Sequence, residues 1–144
     1  MAFRTRKDTK IALIKQVPLF ASLGKAQLAQ VASIADEIDL PDGTVLTRQG
    51  DRGREFFVLI DGEAEVRRNG RKRATIKSGD FFGEIALVSD RPRTATVTAT
   101  KPVRVLVITD ASFRAVLLRT PEIGLKILAA FAERVPPDAT QGFS

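Results

Sequence analysis

Four residue types are missing from this chain of 144 residues, which has no cysteine, histidine, tyrosine or tryptophan. Without cysteine the chain can form no disulfide, and it has no thiolate for catalysis or metal binding. Without histidine it lacks the commonest general base and the commonest zinc ligand. Catalysis would depend on carboxylates, lysine and hydroxyls alone, so we expect a binding protein rather than an enzyme.

Long hydrophobic runs are also missing. No apolar stretch approaches the roughly 18 to 20 residues that a membrane-spanning helix needs. The first ten residues are basic and polar and lack the apolar centre of a signal peptide. The hydrophobic fraction of 44% and the charged fraction of 28% are those of an ordinary globular domain. We therefore expect one domain, located in the cytoplasm and without membrane contact.

Positive charge is in excess, with a formal net charge of +6. Two basic segments carry most of it, one at residues 4–15 and one at residues 67–77. Such clusters can bind nucleic acid, but no aromatic residues are interleaved here to stack on bases. We interpret them as a basic terminus and a solvated hairpin tip, and we do not expect a nucleic-acid partner.

The residue patterns divide the chain into three regions. Residues 1–40 are predicted to form N-terminal helices, because apolar residues recur there at three- and four-residue spacing. Residues 42–109 are predicted to form short strands, because glycine turns interrupt them regularly. Residues 110–135 are predicted to form two further helices, and residues 136–144 a tail.

Two features of the middle region predict antiparallel strands. Asn69-Gly70 is a strong signal for a two-residue hairpin, because both turn positions tolerate positive φ. Threonine alternates with alanine or valine from Thr94 to Thr100, as a half-buried strand requires. Several such strands predict a β-sandwich or a β-barrel.

The segment at residues 82–97 has the chemistry of an anion site. Gly83 lets a ligand approach the backbone closely, and a helical turn beginning at Glu84 would direct amide groups at an anion. Arg93 follows a proline that stiffens the chain, and a guanidinium with amide donors is suited to bind phosphate. The carboxylate of Glu84 is unfavourable beside a phosphate unless it accepts hydrogen bonds from another group, such as a sugar hydroxyl.

This segment resembles the phosphate-binding cassette of the cyclic nucleotide-binding domain family. The matching stretches are residues 82–87 and 92–97, and further similarity extends over residues 17–135. The resemblance implies an α+β, mainly β fold: a jelly-roll β-barrel of about eight strands. N-terminal helices, a short helix in the cassette and two C-terminal helices would flank this barrel.

The resemblance also implies roles for individual residues, and it implies no metal, cofactor or catalytic group. Glu84 would bind the ribose 2′-hydroxyl, Arg93 would bind the cyclic phosphate, and backbone amides would complete the cradle. Arg134 or Phe131 in the last helix would cover the base. The residues expected to bind the ligand are Phe82, Gly83, Glu84, Ile85, Ala86, Arg93, Thr94, Ala95 and Arg134.

Two points of this resemblance stay open. Thr94 is compatible with either purine, and we favour cAMP over cGMP on the breadth of the family. Many relatives carry an acidic residue two positions before the aromatic pair of the third strand, where it supports the cassette arginine. Here that position holds Arg54, so Glu55 or Asp51 would have to take over the support.

Few residues follow the last predicted helix, and we expect no helix-turn-helix domain after it. We therefore expect a stand-alone sensor, in which binding of a cyclic nucleotide moves the C-terminal helices and changes the surface offered to a protein effector in trans. The alternative is a scaffold or dimerisation module of the same fold that binds no nucleotide. The sequence leaves a homodimer open.

Overall fold

The computed structural model describes residues 6–83, 86 and 90–134. Helices lie at both ends of this part of the chain, and strands lie between them. The helices are α1 (Arg6–Gln16), a 3-10 helix (Pro18–Phe20), α2 (Lys25–Ile34), α3 (Asp110–Arg119) and α4 (Pro121–Arg134). The strands are β1 (Asp36–Leu40), β2 (Val45–Thr47), β3 (Glu55–Asp61), β4 (Glu63–Arg68), β5 (Arg71–Lys77), β6 (Phe81–Phe82), β7 (Thr96–Ala99) and β8 (Val103–Thr109).

The eight strands form two antiparallel sheets of four. One sheet has the order β1-β8-β3-β6, and the other has the order β2-β7-β4-β5. This confirms the predicted jelly-roll fold of about eight strands flanked by helices. In the part of the chain that the structure describes, the two sheets are not hydrogen-bonded into a closed barrel, so the arrangement is a sandwich.

β3 is an interior strand of its sheet, and both of its faces are buried. Phe57 and Leu59 point into the core between the two sheets. Phe56 and Val58 point the other way and pack against the helices. β3 therefore contributes side chains to both hydrophobic cores. Burying each large apolar side chain stabilises the folded state by about 1.5–3 kcal/mol. The apolar run from Phe56 to Leu59 fits a strand that is covered on both sides.

Asp36–Leu40 corrects the sequence interpretation, which extended the N-terminal helices to residue 40. The segment is strand β1, and it pairs with β8 from Asp36 opposite Val107 to Leu40 opposite Val103. Acidic residues take three of its five positions, so neither helical nor strand periodicity is visible. The strand forms because the edge of β8, about 65 residues later in the chain, offers it backbone partners.

The predicted hairpin at Asn69-Gly70 is confirmed. β4 and β5 flank these two residues, whose φ angles are 53° and 76°. The side chain of Gln49 holds the turn, since its amide donates to Asn69 Oδ1 at 2.8 Å and its Oε1 accepts from the Asn69 amide at 2.8 Å. Gln49 lies just after β2, so the hairpin tip is fixed to the start of the β2–β3 loop, residues 48–54.

None of the helices among the described residues combines the length and the apolar character needed to cross a membrane.

Candidate functional site

The side chain of Arg93 is only 5% exposed, which is unusual for an arginine. Its Nη2 atom donates to the backbone carbonyl of Glu55 at 2.8 Å and to the Glu55 carboxylate at 3.2 Å. The guanidinium also lies 5.9 Å from the centroid of the Phe57 ring. A buried charge is tolerated only with such partners, so the first residues of β3 hold this cation in place.

The backbone of Arg93 is held as firmly as its side chain. Its amide donates to the carbonyl of Asp51 at 2.8 Å, and its carbonyl accepts from the amide of Gly50 at 2.9 Å. Gly50 has a φ of 89°, which turns the chain so that both groups face Arg93. The β2–β3 loop therefore binds the cassette arginine through the main chain on one side and through Glu55 on the other.

Glu55 takes the supporting role that the sequence left open between Glu55 and Asp51. Asp51 contributes its backbone carbonyl, whereas Glu55 contributes both its carbonyl and its carboxylate. Arg54 faces elsewhere. Its Nη1 lies 3.8 Å from a carboxylate oxygen of the buried Asp110, and its carbonyl accepts from the Asp110 amide at 2.8 Å. Because Asp110 begins α3, the loop that holds Arg93 also contacts the first of the C-terminal helices.

Phe82 and Gly83 form the start of the cassette. Phe82 is fully buried, and its ring stacks on Phe57 with centroids 4.9 Å apart, so it supports the ring that faces Arg93. Gly83 is buried and has a φ of 80°, a conformation that favours glycine. Its carbonyl accepts from the amide of Ala86 at 3.1 Å.

Thr94 and Ala95 continue from Arg93 into β7. The Thr94 carbonyl accepts from Arg68 Nε at 3.2 Å, and the Ala95 carbonyl accepts from Thr47 Oγ1 at 3.1 Å. Arg68 ends β4, so this contact joins the basic hairpin to the cassette. Sequence reasoning missed Arg68 as a neighbour of the cassette, because nothing local in the sequence indicates a contact across 26 positions.

Three of the predicted ligand-binding residues cannot be placed fully. Glu84 and Ile85 lie outside the described residues, and so does most of the predicted cassette helix. Arg134 is the last residue of α4, but its side chain and that of Phe131 are outside the description. Of the others, Phe82 stacks on the Phe57 ring that faces Arg93, and Gly83 is hydrogen-bonded to Ala86. Thr94 and Ala95 follow Arg93 directly in the chain.

The chain is similar to known proteins in both sequence and fold. The family model described as "Cyclic nucleotide-binding domain" matches residues 37–120, which is more than half of the chain. A cAMP-dependent protein kinase regulatory subunit from Aspergillus niger is 36% identical over 118 residues, which are 81% of this chain and 28% of that protein.

Two solved structures show the same fold. The N-terminal domain of a transcriptional regulator from Streptomyces coelicolor aligns with a TM-score of 0.74 and 31% identity, covering 85% of this chain and 91% of that domain. The regulatory domain of Toxoplasma gondii PKA with cAMP aligns with a TM-score of 0.68 and 28% identity, covering 80% and 46%.

The two sheets and their flanking helices define a domain of the jelly-roll class. The chain belongs to the cyclic nucleotide-binding domain family. It spans about a quarter to a third of the length of the curated relatives that it matches.

Proposed function

We propose that this chain binds a 3′,5′-cyclic nucleotide beside Arg93, with cAMP preferred over cGMP, and that it acts as a sensor rather than an enzyme. The observation that carries the proposal is the buried guanidinium of Arg93, which the carbonyl and the carboxylate of Glu55 hold in one geometry. A cation fixed in this way loses little conformational freedom when it binds an anion. The similarity to a cAMP-dependent regulatory subunit and to a cAMP-bound domain supports cAMP.

In this proposal each cassette residue has one task. Arg93 neutralises the cyclic phosphate, the amides of Ile85, Ala86 and Ala95 complete the cradle, and Glu84 accepts from the ribose hydroxyl. Gly83 supports this arrangement, because its positive φ turns the chain where the sugar would lie. Arg134 from α4 covers the base.

The sensor role is supported by the contacts of the β2–β3 loop. Glu55 binds Arg93, and the adjacent Arg54 binds the start of α3 through its carbonyl and its side chain. A ligand that displaces Arg93 would therefore also displace Arg54 and Glu55, and with them the contact to α3. We propose that the last two helices shift on binding and that a protein effector in trans, in the cytoplasm, reads the shift.

Calorimetric titration of the nucleotide-free protein with cAMP, cGMP and 5′-AMP tests the proposal. We expect micromolar or tighter binding of cAMP, about 8 kcal/mol or more of free energy, and weaker binding of cGMP. The linear 5′-AMP, which lacks the cyclic phosphate, should bind more weakly than either. In the same experiment Arg93→Ala should bind cAMP about 100-fold more weakly, because charge-assisted hydrogen bonds contribute about 1.5–3 kcal/mol each.

Arg71→Ala is the matched control, since it removes an exposed arginine from the hairpin. Its affinity for cAMP should stay within about threefold of the wild type, because salt screens an exposed charge. Hydrogen exchange with and without cAMP then tests the sensor role, for which protection at α3 and α4 should change. A folded wild type that binds no cyclic nucleotide at millimolar concentration would overturn the proposal.

A second candidate, an interaction or dimerisation module, is favoured by one observation. Leu118, Leu125 and Leu128 on α3 and α4 are 86%, 68% and 53% exposed, which is high for leucine. If titration shows no nucleotide binding, sedimentation of the wild type beside Leu125→Ser tests this candidate. A dimer that dissociates in the variant would support it, and a monomeric wild type would count against self-association.

A further inference from the structure

Gly53 lies directly against the guanidinium of Arg93. A Cβ atom built on Gly53 would lie 1.7 Å from Nε, 2.1 Å from Cζ and 2.3 Å from Nη2 of Arg93. Real Cβ atoms almost never have contacts below 3.0 Å. The guanidinium therefore occupies the volume that any side chain at position 53 would need.

The backbone of Gly53 cannot easily move away. Two residues before it, Asp51 accepts a hydrogen bond from the amide of Arg93, and two residues after it, Glu55 begins β3. Gly53 is not in the left-handed region, so alanine would cause no backbone strain there. The conflict would therefore be resolved by the flexible end of the Arg93 side chain, which would leave its place.

We propose that Gly53 is a positioning residue for the cyclic phosphate, because its missing side chain lets Arg93 fold back onto Glu55. This rests on the proposed function, in which Arg93 binds the phosphate. Alanine at position 53 releases the guanidinium from the Glu55 carbonyl and from the Phe57 ring. The ligand must then order the Arg93 side chain when it binds, which lowers the affinity. The sandwich stays folded, because Gly53 fills no position in either core.

Gly53→Ala tests this proposal, with Gly24→Ala as the matched control. Gly24 also has an ordinary φ of −74°, and its nearest neighbour to an added Cβ is Gln27 Oε1 at 3.8 Å. By calorimetry, Gly53→Ala should weaken cAMP binding by about tenfold or more, and Gly24→Ala should not change it. In the Arg93→Ala background, adding Gly53→Ala should have no further effect, because the clashing group is gone.

A second measurement needs no nucleotide. The Nε–H signal of Arg93 in a nitrogen-15 spectrum, assigned by its loss in Arg93→Ala, should shift or broaden in Gly53→Ala and stay unchanged in Gly24→Ala. An unchanged signal, or an equal loss of affinity with and without Arg93, would overturn the positioning role. If the wild type binds no cyclic nucleotide, the proposed function fails, and this signal still decides whether Gly53 places Arg93.

Discussion

The cassette and the basic hairpin hold their arginine side chains in opposite ways. In the cassette, a single arginine is buried and held by a carbonyl, a carboxylate and an aromatic ring. At the hairpin tip, Arg71, Lys72 and Arg73 are all exposed to solvent. The cassette has fewer positive charges, but it holds the Arg93 guanidinium in one geometry. A guanidinium in a fixed geometry is suited to bind a small anion.

The hairpin places like charges directly opposite one another. Arg67 faces Lys72 across the two strands, and Arg68 faces Arg71. Opposed like charges destabilise a sheet, although Arg67 also pairs with Glu65 and Arg68 donates to Thr94. The many positive charges of this hairpin thus cost stability without forming a preorganised site. Net charge alone is a poor guide to where a ligand binds.

Arg104 on β8 is a surface arginine that is paired with two acidic residues. Its Nε donates to a carboxylate oxygen of Asp39 at 2.8 Å, and Glu37 lies 3.8 Å away. The hydrogen bond from Arg104 holds the pKa of the Asp39 carboxyl below its usual value. The Asp39–Arg104 pair contributes to the stability of the fold above the ordinary pKa of an aspartate. This contribution is lost as the pH falls through the lowered pKa of Asp39.

The cassette and the hairpin should differ most in how far one substitution lowers the free energy of unfolding. Phe82→Ala should lower the free energy of unfolding by about 3–5 kcal/mol, because the ring is fully buried and stacks on Phe57. Arg71→Ala should change it by no more than about 0.5 kcal/mol. Urea denaturation measures both, and Phe82→Leu should show a smaller loss if the alanine variant fails to fold. Equal stability of the Phe82 and Arg71 variants would contradict the assignment of Phe82 as support for the cassette.

The parts of the fold that sequence patterns predicted are those with local causes. The Asn69-Gly70 turn follows from the backbone preferences of these two residues themselves. β1 was not predicted, because the acidic segment becomes a strand only through its pairing with β8. Its local pattern contains no information about that partner.

The candidate site divides in the same way. Arg93 and Gly83 were singled out from their local motif, and their roles in ligand binding stay predictions. The partners of Arg93 come from the β2–β3 loop and β3, about 40 positions earlier in the chain. Gly53 has a sequence signal only in hindsight, as the second glycine of Gly50-Asp51-Arg52-Gly53. What makes it necessary is the distance to Arg93, which the sequence does not contain.

A smaller effect is expected from the carboxylate that holds Arg93. Glu55→Gln should weaken cAMP binding by about three- to fivefold, because the backbone carbonyl at 2.8 Å remains and glutamine still accepts a hydrogen bond. The side chain of Glu55 is 46% exposed, and solvent screening limits the contribution of its carboxylate. Glu65→Gln, which removes the matching acid of the hairpin, should leave the affinity unchanged. A loss of about 100-fold in Glu55→Gln would show that the carboxylate, rather than the carbonyl, fixes the arginine.

The smallest effect should come from relieving the repulsion in the hairpin. Lys72→Glu places an acid opposite Arg67 and should raise the free energy of unfolding by about 0.2–1 kcal/mol at low salt. Lys77→Glu is the reverse control, because it sets a second acid opposite Glu63 and should lower stability by a similar amount. Both effects should shrink in about 1 M sodium chloride, where charges are screened within about 3 Å. If Lys72→Glu gave no stabilisation at low salt, the hairpin charges would not repel one another, and their contrast with the buried arginine would rest on exposure alone.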